Sequence, residues 1–404
     1  MRGAPVTRRA EVFPSRREEL AARRAELRQR AKRRRRRLAA AALAVLLLVG
    51  GVIGGGYLLY QEFFGVPDYT GDGGSTVVVQ VADGATGAQI GGALQRADVV
   101  KSVEAFTRAA ADEPRIRAVQ PGYYLMRSQM SGDAAVARLL DPATRVGQLE
   151  IRGGVQLDDT SNPDGSVVPG VLTLIANSTC AELNGQTRCL SADDLRTAMS
   201  DADLAELGVP AWARDDVAKA EPRRRLEGLL VPGVYDVKPG VPALDVLRGL
   251  LATSVTRLES DGLVSGAREI GYTPYKVLIV SSLVEKEGIT ADMPKVARVL
   301  YNRLGAGQRL QLDSTVNYPL DLQALRTNAD DRAKPGPYNS YAVAGLPPTP
   351  IAAPGKDAIE AALAPAEGPW QYFVRCQPDG ASCFAETLDE HNRNVAEAVK
   401  NGAF

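Results

Sequence analysis

The chain has 404 residues, 45% of them hydrophobic and 24% charged, which is enough for one or two globular domains with hydrophobic cores. Basic and acidic residues balance at 48 each, but arginine is concentrated before Arg37, so the rest of the chain is net acidic. The only histidine, His391, has no cluster of possible ligands around it, which argues against a metallopeptidase; we predict no metal and no cofactor.

An uncharged apolar segment, residues 38–60, follows the basic tail of residues 1–37. It is long enough to cross a bilayer as a helix. Arginine on its N-terminal side predicts that this end faces the cytoplasm, and Tyr57 and Tyr60 suit the opposite interface. A cleaved signal peptide is the alternative, but its apolar region would be shorter and would end in a small-x-small site. We therefore expect a single-pass cell-membrane protein whose N-terminus is cytoplasmic and whose bulk is extracytoplasmic.

The basic tail by itself would fit nucleic acid or anionic lipid. Because an apolar segment follows it directly, we expect it to rest on the anionic inner leaflet or to contact cytoplasmic partners, and we predict no nucleic-acid binding. Residues 61–75 are predicted to be a linker, rich in glycine and aspartate from Pro67 onward.

A small module is predicted next, over residues 76–145. Its pattern is strand, helix, helix, strand and a closing helix, in the segments Thr76–Val81, Thr86–Leu94, Ser102–Ala111, Gly122–Leu125 and Gly132–Leu140. A second unit, residues 146–404, begins with the segment Gly147–Ile151. Residues 158–220 within it are predicted to be an irregular, polar insertion without assigned chemistry. Regular helices are predicted after it, at Ala243–Glu259, Pro274–Glu287, Pro294–Leu304 and Asp389–Lys400. The fold class expected is α+β.

All four cysteines come after the apolar segment, as the close pairs Cys180 with Cys189 and Cys376 with Cys383. The second pair brackets a Pro-Asp-Gly turn between the strand-like segments Trp370–Val374 and Ser382–Ala385, so a hairpin would bring its ends within disulfide reach. Zinc is the competing interpretation, but this spacing without a nearby histidine is poor for it. We predict two disulfides in an oxidising compartment.

One carboxylate stands out at the end of the helix Pro274–Glu287. The apolar residues of this helix share one arc at about 100° per residue, and Glu287 falls within that arc, whereas Glu285 falls away from it and Lys286 lies roughly opposite. A carboxyl group against apolar surface is poorly solvated as an anion, so its pKa rises, which suits general-acid catalysis. The alternative is a frayed helix end with Glu287 in solvent.

Polar and aromatic residues downstream are of the kind that line sugar-binding clefts. The segment Gln308–Val316 alternates polar and apolar residues, which predicts a strand with Gln311, Asp313 and Thr315 on one face. Asn339 and Tyr341 follow on a later loop. Ordinary strand and loop packing would account for each of these residues separately.

Six short motifs, taken as a set, carry a family resemblance. They are Ser282–Gly288, Asn302–Leu304, Gln311–Thr315, Tyr338–Tyr341, Gly345–Pro348 and Glu390–Asn392. Over Leu226 to about Val395 the chain closely resembles the YceG-like family of endolytic transglycosylases. This resemblance implies a LysM-like βααβ module before a mixed α/β catalytic domain. The cysteine pairs and the 158–220 segment depart from the family pattern.

The resemblance also implies a reaction, namely cleavage between N-acetylmuramic acid and N-acetylglucosamine of peptidoglycan without water. Glu285 and Glu287 both lie in the motif; we choose Glu287 from the helical face and because Glu-Gly parallels the Glu-Ser or Glu-Thr of related lysozyme-like enzymes. Glu287 would protonate the glycosidic oxygen and then accept the proton of the muramic C6 hydroxyl, which closes a 1,6-anhydro ring. Residues expected to position the sugars are Gln311, Asp313, Thr315, Asn339 and Tyr341. The expected substrate is the nascent glycan strand, with peptidoglycan synthases as partners.

Two other functions remain open on the sequence. The first is a two-carboxylate muramidase, with Asp313 activating water as general base. The second is a non-catalytic, membrane-anchored scaffold that binds the cell wall. Serine hydrolase chemistry is weakly supported, because Ser281 and Ser282 have no histidine nearby in the sequence.

Overall fold

The computed structural model describes Lys32, Arg35 and residues 40–56, 65–323 and 327–403. The chain separates into two compact units, Met1–Pro67 and Asp68–Phe404. In the first unit, residues 40–56 are helical. Among the described residues, no helix combines the length and the hydropathy needed to cross a membrane. Both ends of the predicted span, residues 38–39 and 57–60, lie outside the described residues, as do most of the basic tail and residues 61–64.

The second unit opens with the predicted strand-helix-helix-strand order. Its first elements are β1 (Thr76–Val81), α1 (Gly87–Arg96), α2 (Val103–Ala111), β2 (Gly122–Arg127), α3 (Gly132–Leu139) and β3 (Arg145–Val146). The side chains of Thr86, Ser102 and Ser131 accept backbone hydrogen bonds at the starts of the three helices, which is why each helix begins there. The strands pair antiparallel in the order β1-β2-β3. This part has its own hydrophobic core, separate from that of the later elements.

The later part is a mixed α/β assembly dominated by helices. Its elements, in chain order, are β4 (Gln148–Ile151), β5 (Thr160–Ser161), β6 (Val167–Val168), α4 (Val171–Ser178), β7 (Ala181–Leu183), β8 (Gln186–Arg188), α5 (Ala192–Asp201), α6 (Leu204–Leu207), α7 (Ala211–Val217), β9 (Gly233–Asp236), α8 (Ala243–Ser260), α9 (Leu263–Glu269), α10 (Pro274–Glu287), α11 (Met293–Gly305), α12 (Asp313–Asn317), α13 (Ala329–Ala333), α14 (Lys356–Leu363), β10 (Tyr372–Arg375), β11 (Ser382–Ala385) and α15 (Leu388–Asn401). Short 3₁₀ turns lie at Pro114–Ala118, Pro142–Thr144, Pro222–Arg224 and Tyr318–Leu320. Strand β4 pairs with β9, and β10 with β11, both antiparallel.

The prediction that residues 158–220 are irregular was wrong. This segment contains helices α4 to α7 and strands β5 to β8. Ile175, Leu195 and Met199 are fully buried in the same core as the central helices. The helices are short and amphipathic, so their exposed polar residues dominate the local composition while a few apolar side chains on one face fix them to the core.

Helix α10 lies at the centre of this core, with α7, α9, α11, α12 and α14 packed around it. From Val277 to Val284 every residue is buried, so the helix has no exposed face along most of its length. The predicted apolar arc is therefore only part of an almost fully buried helix. At its C-terminal end Glu285 to Glu287 are half-buried, and near its start Pro274 is half-buried and Lys276 is exposed.

The predicted strand Gln308–Val316 is absent. Residues 308–312 are irregular, and helix α12 begins at Asp313. Gln311 has a φ of 56°, a left-handed conformation that a continuous strand does not permit. The segment is held instead by the loop after α13, because Ser340 accepts hydrogen bonds from the backbone N–H of Gln311 and, through its hydroxyl, of Leu312.

Two disulfides fix surface segments of the second unit. They join Cys180 to Cys189, around the β7–β8 hairpin, and Cys376 to Cys383, at the turn of the β10–β11 hairpin. The second hairpin packs on helix α11, where Arg303 Nε donates to the carbonyl of Gln371 at 2.6 Å. This hairpin and α15 form one side of a cleft at the C-terminal end of α10.

Candidate active site

The predicted carboxylate lies at the C-terminal end of α10, within the predicted bounds of that helix. The helix starts where the Thr273 hydroxyl accepts from the backbone N–H of Lys276 and Pro274 takes the first position. It ends at Glu287, because Gly288 turns to an extended conformation after donating to the carbonyl of Val284. The rigid, buried body of the helix thus delivers Glu287 to a fixed place.

The side chain of Glu287 lines a cleft of about 830 Å³. One side comes from α12 and its approach, with Gln311, Asp313 and Ser314, and the opposite side from the C-terminal hairpin and α15. The full lining comprises Gln156, Lys286, Glu287, Arg303, Leu310, Gln311, Leu312, Asp313, Ser314, Asn317, Leu322, Gln323, Thr327, Arg332, Tyr341, Tyr372, Phe373, Val374, Arg375, Leu388, His391, Asn392, Val395 and Ala403. Of the residues predicted for the site, Glu287, Gln311, Asp313 and Tyr341 meet here.

The carboxyl group of Glu287 is held rather than solvated. The Ser314 hydroxyl donates to its Oε1 at 2.5 Å. Burial raises the pKa of Glu287, the negative charge of Asp313 raises it further, and the hydrogen bonds from Ser314 and the charge of Arg375 offset part of this effect. The net pKa lies above the ordinary value for glutamate, so Glu287 can retain a proton at a higher pH than a solvated carboxyl can.

The pKa of Asp313 is shifted in the opposite direction to that of Glu287. Its two oxygens accept from the hydroxyl of Thr327 at 2.7 Å, from the hydroxyl of Tyr341 at 2.7 Å and from the Arg332 guanidinium at 3.0 and 3.1 Å. Burial would raise the pKa of Asp313, but these hydrogen bonds and the charge of Arg332 outweigh it and hold the pKa below its ordinary value. The pKa values of two carboxyl groups in one cleft are thus shifted in opposite directions, that of Glu287 upward and that of Asp313 downward.

The neighbouring carboxylate, Glu285, lies elsewhere. It lines a smaller cleft of about 350 Å³ that shares only Gln156, Lys286 and Gln323 with the larger one. Its Oε2 accepts from the backbone N–H of Gly355 at 2.9 Å. These contacts give Glu285 a role in joining α10 to the segment before α14, and they separate it from the surroundings of Glu287.

Lys286 was predicted to lie opposite the apolar arc, but it lines the cleft between the two carboxylates. Its Nζ donates to the side chain of Gln323 at 2.9 Å and to the carbonyl of Gly154 at 3.3 Å. It forms the boundary shared by the two clefts. Because α10 is packed on nearly all sides, the side of the helix opposite the apolar arc faces the two clefts at this end.

Two residues predicted to contact sugar do not line the cleft. Thr315 is fully buried, and its hydroxyl bonds with the carbonyl of Leu312 and the hydroxyl of Ser340. Asn339 is 5% exposed and donates to the carbonyls of Arg332 and Lys334. Both therefore shape the loops that carry Asp313 and Tyr341. The strand expected for residues 308–316 would have aligned Thr315 with Asp313; the helix α12 turns it inward instead.

Several lining residues were not singled out from the sequence. On the far wall, Tyr372 stacks with the His391 ring at 5.3 Å, and the Arg303 guanidinium lies over Tyr372 at 4.9 Å. Arg303 and His391 lie within the motifs Asn302–Leu304 and Glu390–Asn392, so the family resemblance was the one signal in the sequence that could have indicated them. Arg375 stands in no motif, and only the folded hairpin brings it to the cleft.

The described residues contain no group of histidine, cysteine or acidic side chains that could hold a metal ion. Ser281 and Ser282 are fully buried, and their hydroxyls donate to the helix carbonyls of Val277 and Ile279. Neither hydroxyl is therefore available as a nucleophile.

Known proteins resemble this chain in sequence and in fold. The chain is 27% identical to an endolytic murein transglycosylase of Bacillus subtilis (strain 168), over 80% of this chain and 84% of that protein. It is also 27% identical to an endolytic murein transglycosylase of Streptococcus pneumoniae, over 80% of this chain but only 59% of that longer protein.

A crystal structure of a YceG-like protein from Listeria monocytogenes superposes with a TM-score of 0.51 at 25% identity, covering 79% of this chain and 98% of that one. The model of the YceG-like family matches residues 79–397. That match includes Glu287 and all of the cleft lining except Ala403, and it confirms the resemblance found from the motifs. The chain belongs to the YceG-like family.

Proposed function

We propose that this protein is an endolytic murein transglycosylase, which cuts peptidoglycan glycan strands between N-acetylmuramic acid and N-acetylglucosamine without water. The observation that carries the proposal is the placement of Glu287, a carboxyl group of raised pKa at the floor of an open cleft, with Ser314 as its hydrogen-bond donor. The names of the Bacillus and Streptococcus relatives support the same activity.

In the proposed reaction Glu287 is first an acid and then a base. It donates its proton to the glycosidic oxygen as the bond to the muramic anomeric carbon breaks. The resulting carboxylate accepts the proton of the muramic C6 hydroxyl, whose oxygen bonds to the anomeric carbon and closes a 1,6-anhydro ring. Because the nucleophile belongs to the substrate, its effective concentration is high, up to about 10⁵ M or more.

Asp313 favours this reaction over the two-carboxylate hydrolase. A general base needs a free oxygen facing water, but the oxygens of Asp313 already accept from Thr327, Arg332 and Tyr341. Its lowered pKa also makes it a weak base. We infer that Asp313 orients Tyr341 and stabilises positive charge in the cleft, and that Gln311 and Tyr341 contact the sugars.

Cleavage in ¹⁸O-labelled water separates the two reactions. The transglycosylase forms anhydro ends that contain no solvent oxygen and are lighter by one water molecule than hydrolysed ends. Mass spectrometry of fragments released from purified glycan strands by the full chain is expected to show unlabelled anhydro-muramic ends. Labelled reducing ends would identify a muramidase, and no release at all would favour a non-catalytic wall-binding scaffold.

Ser314→Ala is expected to move the pH dependence of kcat in a defined direction. The Ser314 hydrogen bonds lower the pKa of Glu287, so their loss raises it. Activity that requires protonated Glu287 falls as pH rises through that pKa, and the alkaline limb of kcat should therefore move to higher pH in the variant. A kcat profile measured on one glycan substrate tests this; an unchanged limb, or one at lower pH, contradicts the role given to Glu287.

We further propose that residues 38–60 anchor the protein in the cell membrane, with the N-terminus in the cytoplasm and the catalytic part outside. The uncharged apolar sequence and the arginines before it support this arrangement. The two disulfides are consistent with an oxidising compartment. Protease treatment of intact spheroplasts is expected to remove residues beyond the anchor while the basic tail stays protected.

The βααβ part, residues 76–145, is proposed to be a LysM-like module that holds the glycan near the cleft. Its support is the order β1-α1-α2-β2 with the two strands paired antiparallel. We also propose that the protein works beside peptidoglycan synthases and ends glycan polymerisation; this rests on the family resemblance. Crosslinking in growing cells, followed by identification of the partners, tests the second proposal.

A further inference from the structure

Four basic side chains line the main cleft, and three of them already have acceptors. Lys286 donates to Gln323 and Gly154, Arg303 to a set of backbone carbonyls, and Arg332 to the carboxylate of Asp313. The fourth, Arg375, has no hydrogen bond or ion pair from its guanidinium to any residue that the structure describes.

The backbone beneath Arg375 is rigid. Arg375 is the last residue of β10, paired with Ser382 of β11 directly beside the Cys376–Cys383 disulfide. The N–H of Ser382 donates to Asp292 at 2.7 Å, and Asn401 donates to the carbonyl of Cys376 at 3.0 Å. The hairpin is thus tied to the segment leading into α11 and to the end of α15, so the backbone of Arg375 has a defined position on the cleft wall.

The charge of the cleft favours an anionic ligand at this position. Its acidic lining residues are Glu287, which holds a proton to raised pH, and Asp313, which is matched by Arg332. Lys286, Arg303 and Arg375 therefore leave a net positive charge. A guanidinium presents a planar set of donors that matches a carboxylate in a bidentate arrangement, so an unpaired arginine in a cleft is suited to bind a carboxylate.

The N-acetylated sugars of the proposed substrate are neutral, so any carboxylate must come from a substituent. The muramic lactyl group carries one where the stem peptide has been removed, and the stem peptide carries others where it is present. We propose that Arg375 binds a carboxylate on the muramic acid substituent and so selects the sugar that enters the cleft beside Glu287. This inference rests on the proposed function and assigns a specificity residue to it.

Substrate binding at Arg375 would also affect the acid. The charge of Arg375 lowers the pKa of Glu287. A bound carboxylate neutralises that charge, so Glu287 keeps its proton more firmly when the correct substrate is in place. The same contact would therefore contribute both to recognition and to the protonation state needed for the first step.

The test compares the full chain with Arg375→Gln on four substrates: peptide-bearing strands, strands from which an amidase has removed the peptides, and each of these two kinds after chemical amidation of its carboxylates. The variant is expected to raise KM about tenfold or more wherever a carboxylate is free, with a smaller change in kcat. On amidated strands the variant and the unmodified protein should be alike. Arg375→Lys, which keeps the charge but loses the planar fork, should lie between them.

The matched control is Arg309→Gln, since Arg309 is exposed and does not line the cleft. Dependence on Arg375 with peptide-free strands assigns the lactyl carboxylate; dependence confined to peptide-bearing strands assigns the peptide. An unchanged KM in Arg375→Gln, or an equal loss on free and amidated strands, overturns the proposal. Anhydro products from the unmodified protein separate this failure from failure of the proposed activity itself.

Discussion

Replacement of Glu287 by glutamine is expected to abolish the formation of anhydro ends while leaving the fold intact. The amide keeps the shape of the side chain and can still accept from Ser314, but it cannot donate and accept the catalytic proton. Because one group performs both proton transfers in the proposed reaction, the loss should reach about 10³-fold or more. Product release measured by mass spectrometry, with circular dichroism as a check on folding, gives the result.

Glu285→Gln is the matched control, since it makes the same chemical change two residues away. Glu285 accepts from the N–H of Gly355 and lines the smaller cleft, and a glutamine oxygen can still accept that bond. We expect less than a tenfold change in kcat. A reversal, with activity kept in Glu287→Gln and lost in Glu285→Gln, would show that the other carboxylate is the acid.

Asp313→Asn is expected to give the second largest loss. The substitution removes the anion that organises Thr327, Arg332 and Tyr341, so these cleft residues lose their common anchor. Small displacements in an active site cost about 10²-fold, which is the fall in kcat we expect. The loss of charge-assisted hydrogen bonds should also lower the free energy of unfolding by about 1–2 kcal/mol, measured by denaturant titration.

The pH profile of the same variant provides a sharper readout. The charge of Asp313 raises the pKa of Glu287, so its removal lowers that pKa and moves the alkaline limb of kcat to lower pH, opposite to Ser314→Ala. Asp331→Asn is the control, because Asp331 of α13 pairs with Lys334 and neither residue lines the cleft. An alkaline limb that stays in place in Asp313→Asn would refute the electrostatic link between the two carboxyl groups.

The long regular elements were predictable because their limits are set by local chemistry. Pro274 at the first helical position and Gly288 after the last set the bounds of α10, and in the structure the side chains of Thr86, Ser102 and Ser131 cap the helices of the βααβ part. The short elements were not predicted, because their stability comes from contacts that are distant in the sequence. The amphipathic helices of residues 158–220 are stabilised by the common core, which a local window of sequence does not contain.

The site was only partly predictable for a related reason. Helical periodicity favoured Glu287 over Glu285, but it could not show the contacts with Ser314 and Gly355, far along the chain, that give the two carboxylates different surroundings. The left-handed Gln311 ended the expected strand and turned Thr315 into the interior. No motif indicated Arg375, which lines the cleft because of the way the β10–β11 hairpin folds.

The most direct test is to titrate the Glu287 carboxyl group itself. In ¹³C-glutamate-labelled protein, NMR spectra compared with those of Glu287→Gln assign its carboxyl resonance. We predict a pKa clearly above about 4.3, the value of a free glutamate side chain, with a further rise in Ser314→Ala and a fall in Asp313→Asn. A resonance that titrates at or below about 4.3 would contradict the claim that this cleft holds a protonated acid.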